Sequence, residues 1–577
     1  MPRLSHAGNH KYCNLVVAHS VDGYGEIYLN EGPTMKKLLL LLLVALWSPA
    51  LFAQVWTPPG VNSRPTSDTI TFDFGINQYN KDTYLYLAPG LNMNFNNKWG
   101  FSMQLPVNLL LYDAEPKTPG SKIGQVRSID YDSKSDYQRI LNNFWIGNFG
   151  VYKPKEITYS LFLGRMYDGY IGHGTIVNRY VNNQRIDVYK LGVMADINTD
   201  YGGVQVFTNS IYDRKEVNAG RAYIRPFGII TGIMDLFSGK KNVAMLVANG
   251  NVFDDVGRKK VNEEINSNEE VERYVEVETD PKTGEKKEVE KTAPKKERNL
   301  EKEETPPTNK IFDLNRFALG FTSAYDGTAP TALDVDTTGS IRFDKDNNAK
   351  VKSTKRQGIE GYDAEFKIFS TDTFELTPYA DYNRIKNVQN AIGRHYGIIA
   401  KIGPRDINVT IRPEYRVMSA NYIPMYFDSF YEIERYQANL DTNFPYTKYE
   451  FLQNKPVDGP TVRGYYNTLI VNIYRVGFEA NYEDYTGKNN SRVFLGAYIP
   501  FGTLFRLSAF YTKKGFDKSK EAFKLDDKAQ GAIEVAINLG PITIKLQDRR
   551  RWVLDSTTNQ FTAKDERMIL FSGGTAF

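Results

Sequence analysis

The stretch "AIEVAINLGPITIKLQ" (532–547) alternates with a period of two on both sides of a Gly540-Pro541 turn. Before the turn, Ile533, Val535, Ile537 and Leu539 separate from Glu534 and Asn538; after it, Ile542, Ile544 and Leu546 separate from Thr543, Lys545 and Gln547. Successive side chains of a strand point to opposite faces, so each half reads as a strand with one apolar and one polar face. The same alternation recurs along the chain. "ITFDFGI" sets Ile70, Phe72, Phe74 and Ile76 against Thr71, Asp73 and Gly75, and "FSMQLPVNLLL" sets Phe101, Met103, Leu105 and Val107 against Ser102, Gln104 and Asn108. "INVTIRPEYR" sets Ile407, Val409 and Ile411 against Asn408, Thr410 and Arg412.

A soluble sandwich produces the same local pattern, so number and length decide. Roughly 16 to 20 such segments occur, most of about 9–14 residues, where a soluble strand averages about 5–6 and a membrane-crossing strand needs about 9–11. Short turns, "NNK" (96–98), "IGPRD" (402–406), "PFGT" (500–503) and "NLGP" (538–541), alternate with longer polar connections at 113–157, 326–355, 514–526 and 553–566. That asymmetry is expected of an outer-membrane barrel. The expected fold is all-β, a closed antiparallel transmembrane barrel of about 18 strands (range roughly 16–20) occupying residues 54–577 as one domain. Pro89, Pro106, Pro378 and Pro413 fall inside these strands and mark lost ladder bonds or bulges. Around Ile473-Tyr474 the phase of "YYNTLIVNIYRVGFEANYEDY" flips, by a bulge or by a turn without glycine; a turn makes the strand number even, as single-chain bacterial barrels require.

The last segment carries a resemblance. "RMILFSGGTAF" ends on Phe577 with Phe571 and Ile569 in phase, although Gly573 and Thr575 stand where larger apolar residues are usual. It resembles the closing strand of Gram-negative outer-membrane β-barrel proteins of the porin-like kind. The resemblance implies an outer-membrane location, insertion by the barrel-assembly machinery, and contact with outer-membrane lipids. Physically, the final strand must pair with the first, because an open edge in lipid leaves backbone groups unsatisfied.

An export signal is expected where "MKKLLLLLLVALWSPALFAQ" begins at Met35: two lysines, an apolar block from Leu38 to Trp47, a Ser48-Pro49 breaker and a small residue at Ala53. The block is too short to span a membrane. Residues 1–34 then read as a spurious extension ahead of a signal peptide at 35–53, and they contain the single cysteine, Cys13. Overall charge is +4, aromatics are 13% with 38 Tyr, and the mean hydropathy is −0.46. Near-balanced charge excludes the usual signature of a nucleic-acid partner. Polar mean hydropathy is compatible with a barrel, which carries its apolar residues at every second position. Residues 254–310 differ from the rest: both charges are dense and Tyr274 is the only aromatic. This reads as a disordered charged insertion on the short-turn side of the barrel.

The sequence offers little for catalysis. Two histidines follow residue 53, His173 and His395. His173 sits in "DGYIGHGTIVNRYVNN" with Thr175, either a binding loop or a glycine-rich turn folding into the lumen; it lacks the strand–turn–helix frame of a nucleophile elbow. The run resembles a Gly-His-Gly-Thr segment of a family of uncharacterised outer-membrane proteins, a resemblance that implies no activity. "FDSFYEIERYQ" (427–437) reads as an aromatic-rich strand at a membrane interface rather than a ligand ledge. No metal-ligand spacing, Walker loop or dinucleotide fingerprint occurs, so no catalytic residue, metal or cofactor is expected. With the apolar set outward, the lumen receives Asp73, Asp363, Glu365, Lys367, Glu375, Asp381, Arg412, Glu414, Arg416, Arg506, Glu534 and Lys545. Charge rings set selectivity in aqueous pores, and both signs are present. The expectation is a porin-like channel for small hydrophilic solutes; the rivals are a surface receptor or adhesin with a plugged lumen and an envelope assembly component.

Overall fold

The computed structural model describes residues 68–237, 271–279, 286–294 and 312–576, apart from short gaps at 80–81, 97, 115–121, 133, 186–187, 338–339, 343–348, 372, 405, 439–445, 503, 541 and 556–559. The expected signal peptide and the extension before it lie outside the described residues.

One antiparallel sheet closes on itself. Strand Thr69–Tyr79 pairs with Gln560–Ala576, from Thr69 opposite Ala576 to Tyr79 opposite Glu566, so the last strand seals against the first. Phe74 and Phe571 stack across this seam with ring centroids 5.3 Å apart. The sheet has 22 strand segments. Two pairs of segments are single staves interrupted: Trp99–Gln104 with Val107–Tyr112, which share the partner Asp82–Phe95, and Val351–Phe366 with Phe369–Ser370, which share Phe374–Ile385. The barrel therefore has 20 staves, two more than the expected eighteen. One underestimate came from reading 113–157 as a single connection. It contains the six-residue strand Leu141–Ile146, whose neighbours are Trp99–Gln104 and Thr158–Gly164. "LNNFWI" is too short for its period to be read.

Pro106 ends one half of the interrupted stave, and the Leu105 amide bonds the Pro89 carbonyl at 2.8 Å. Pro89, Pro378 and Pro413 stay within strands, opposite Phe72, Ile398 and Asn467. The phase flip at 473–474 is a two-residue turn: Val462–Ile473 ends, Val476–Tyr485 begins, and Tyr474 adopts φ +53° where glycine would be the usual choice.

Burial follows the alternation. Ile70, Phe72 and Ile76 are exposed on the outer wall, while Asp73 and Asn77 are buried inside. Outward tyrosines lie at one level on successive staves: Tyr362 opposite Tyr382, Tyr396 opposite Tyr415, and Tyr415 opposite Tyr465. From Tyr465 to Tyr474 the chain covers roughly 30 Å at about 3.3 Å per residue, or roughly 23 Å of height at a tilt near 40°. Between these tyrosines the outer wall is apolar below Asn467, with Leu469 43% and Ile473 45% exposed. Leu469→Arg, near mid-height, is expected to cost about 2–4 kcal/mol in lipid. Unfolding in vesicles with and without the substitution measures this, and an unchanged midpoint would contradict an outward position in hydrocarbon.

Very short connections such as 200–201, 474–475 and 540–541 lie at the barrel end that also holds the start of the first strand and the finish of the last. The opposite end carries the long segments 113–140, 165–191 and 419–461. At the short-turn end, strand Val217–Ile224 leads into helix α1 (Pro226–Phe237). Beyond it, within 254–310, the described residues form a separate antiparallel hairpin, Val271–Thr279 with Lys286–Pro294.

Candidate functional site

The lumen is where the chain departs from a plain tube. Segments 165–191 and 419–461 enter it from the long-loop end and join each other. The Asn178 amide bonds the Phe427 carbonyl at 3.1 Å, Phe427 returns a bond to Ile176 at 3.2 Å, and Met425 bonds Thr175 at 3.0 Å. Val177 and Phe427 form a parallel bridge. Their apolar side chains, Ile171, Ile176, Val177, Tyr180, Tyr426, Phe427 and Tyr431, pack with Phe207, Ala219, Ala324, Ile359 and Met418 of the wall. Here inward positions of the wall are apolar because they face protein instead of water.

The segment around His173 is thus a glycine-bearing turn inside the barrel. Gly172 and Gly174 take φ +56° and +73°, which lets the turn reverse tightly. His173 Nδ1 lies 2.8 Å from Asp381 and Nε2 2.8 Å from Glu365, and its ring stacks on Tyr379 with centroids 4.2 Å apart. The Thr175 hydroxyl donates to the second Asp381 oxygen at 2.6 Å. Burial opposes a charge on His173, yet the carboxylates of Asp381 and Glu365 outweigh it and push the imidazole up to about 10. An imidazolium with both nitrogens held by carboxylates is a fastener. It has no free base position, and the Thr175 hydroxyl points to Asp381 rather than to the imidazole.

The other sequence-derived lumen residues sit on the inner wall as follows. Asp363 accepts from Arg221 at 3.0 Å. Lys367 and Glu375 pair at 3.3 Å nearer the short-turn end. Glu414 is fully buried between Arg412, 2.6 Å away, His395, 3.1 Å away, and Arg416. Arg506 pairs with Glu534 at 2.6 Å, and Lys545 lies 3.7 Å from Asp73. The two signs neutralise each other across neighbouring staves, so no ring of one charge forms from these residues.

"FDSFYEIERYQ" is not an interfacial strand. It lies in the lumen and holds helix α2 (Tyr431–Glu434) with all four residues buried. Its aromatic density belongs to an interior, and its charges are fasteners. Glu432 accepts from Tyr180 at 2.6 Å and pairs with Lys190 at 2.7 Å; Lys190 also reaches Glu216 at 2.6 Å. Arg435 lies 2.7 Å from Glu216 and 2.9 Å from Asp326, which also accepts from the Tyr431 hydroxyl at 2.8 Å and from the Thr328 amide at 2.8 Å. Asp428 pairs with Arg492 at 2.5 Å, and Lys448 of helix α3 (Lys448–Gln453) pairs with Glu434 at 2.6 Å. The plug is held around the wall: Gly172 bonds Gln205, Asn178 bonds Tyr466, Arg179 pairs with Glu479, and Gln184 bonds Gln530. Sequence reasoning missed Tyr180, Lys190, Glu216, Asp326 and Glu432, and placed Arg435 on a strand at the membrane interface. The available signal was the length of 419–461 combined with aromatics too frequent for a solvated loop. Between plug and wall a cavity of about 70 Å³ remains, lined by Tyr167, Arg179, Phe494, Phe510 and Gln530 among others, room for a handful of waters only.

No family model and no curated protein matches this chain. Among solved structures it is similar to the siderophore receptor PirA from Acinetobacter baumannii, at 7% identity and TM-score 0.30, over 89% of this chain and 81% of that one. It is also similar to the outer membrane protein OpdK from Pseudomonas aeruginosa, at 8% identity and TM-score 0.27, over 89% and 98%. A BenF-like porin from Pseudomonas fluorescens Pf-5 aligns at 9% identity and TM-score 0.28, over 89% and 98%. Superpositions this loose carry no argument; the barrel rests on its own strand pairing.

Proposed function

We propose that this chain is a Gram-negative outer-membrane β-barrel that passes small hydrophilic solutes through a lumen narrowed by two inward segments. The observation that carries the reading is the closed ring of 20 staves with apolar residues and tyrosine girdles outside and paired charges inside. A contiguous apolar outer surface of that extent suits only hydrocarbon, and closure leaves the sheet no open edge within it. Its natural partners are outer-membrane lipids and the barrel-assembly machinery, and the long-loop end faces outside the cell. A barrel of this size is wide enough for water when empty, since 16–18 staves already leave an aqueous channel. Passage therefore depends on the plug. The charged insertion, including its hairpin, belongs on the periplasmic side.

Planar bilayers test this. Purified barrel is expected to give small stepwise currents, with larger steps when the plug is loosened, and vesicles containing it should swell in small sugars. Silence from both the native chain and a plug-loosened variant, with heat-modifiable gel mobility intact, overturns the channel. That outcome favours the second reading, a surface receptor, for which the dense fastening of 165–191 and 419–461 speaks.

A further inference from the structure

Helix α1, "PFGIITGIMDLF", turns the wrong face outward for a helix in water. Gly228 packs on the Asp200 carbonyl and Gly232 on the Tyr201 ring, both in the short turn of the wall. A side chain at either position would collide with those atoms, so the small residues set the close approach. The Thr231 hydroxyl donates to Asn315 at 3.0 Å on the same side. At 3.6 residues per turn, Ile230, Ile233, Met234 and Phe237 then fall on the opposite side. They are 52%, 49%, 65% and 86% exposed. An amphipathic helix normally turns its large apolar residues toward the core; this one buries Gly228, half-buries Gly232, and presents isoleucine, methionine and phenylalanine away from the protein.

The place of the helix says what lies there. It begins two residues after Ile224, an outward position of the wall, 52% exposed. Phe227 meets Phe317 edge-on with centroids 6.0 Å apart, and Phe317 shares its face with the outward Leu319 and Phe321. The exposed stripe is thereby continuous with the apolar outer wall at the short-turn rim. We propose that α1 lies in the membrane interface, its Ile230–Phe237 stripe sunk into the phospholipids of the periplasmic leaflet as a collar on the barrel. Interfacial helices of this kind bury their apolar face about 5–10 Å into the boundary between headgroups and acyl chains. This rests on the outer-membrane reading above.

Spin labels separate the two claims. In the full chain with Cys13→Ser, Ile230→Cys reports on the helix and Leu319→Cys on the wall. Each is labelled and reconstituted into phosphatidylethanolamine–phosphatidylglycerol vesicles. Collisions with oxygen should exceed those with a water-soluble nickel chelate several-fold at both positions, with position 230 the shallower. A label at 230 that meets the nickel chelate as freely as a water-exposed site overturns the collar while position 319 stays in lipid. So does a label shielded from both reagents, the mark of a protein partner or a second copy on this face. If position 319 itself meets the chelate, the membrane reading falls and the collar with it.

Discussion

Arg435→Ala is expected to unseat the plug and raise single-channel conductance without unfolding the barrel. Arg435 is the cation between Glu216, just ahead of one stave, and Asp326 within the next. Removing it leaves two buried carboxylates facing each other with less cation to satisfy them. Breaking a buried pair from one side costs about 3–5 kcal/mol, because the remaining charge stays desolvated. The barrel can avoid that cost by releasing the segment and letting water reach both groups. Strand pairing does not involve Arg435, so heat-modifiable mobility should persist while current steps grow. Arg435→Lys, which keeps charge but not the forked geometry, should lie between the two. Currents identical to those of the unaltered chain would show that this contact does not hold the plug.

His173→Ala should weaken the same plug by a comparable amount, about 3–5 kcal/mol, and should also remove a pH dependence. The folded imidazole titrates near 10 and an unfolded one near about 6.5. A raised folded value stabilises the docked form fully below about 6.5, progressively less above it, and not at all once pH passes about 10. Open time in bilayers should therefore rise between roughly pH 7 and 10 in the native chain. In His173→Ala it should start high and not rise through that window, because Lys448, whose ammonium burial pulls down to about 8, favours the docked form as it loses its proton. Parallel profiles for the two proteins would remove His173 from the fastening.

The wall was legible in the sequence because one physical rule generates it: every second residue points out of the barrel, and the outward set is largely apolar. "AIEVAINLGPITIKLQ" needs no tertiary information to be read that way, and the two strands it specifies pair from Gly531 opposite Arg550 to Leu539 opposite Ile542. The same rule failed for "LNNFWI", where six residues hold too few periods. It failed differently for "FDSFYEIERYQ", whose aromatics satisfy a second interior that alternation does not describe. The inward charges were legible as a set, since Asp381 and Glu414 alternate with apolar neighbours. Their partners were not. His173 and Asp381 are 208 residues apart, and nothing in local sequence says that a glycine turn will descend to meet that carboxylate. Tyr180 and Glu432 were missed, and Arg435 misplaced, for the same reason.

The parallel bridge between Val177 and Phe427 means that neither inward segment can leave by itself. Withdrawing 165–191 strips backbone bonds from 419–461, and the reverse holds as well. Such a pair behaves like a latch with two tongues on a single bolt. Its electrical record would step between the narrowed and the widened lumen, with no plateau for one segment withdrawn alone.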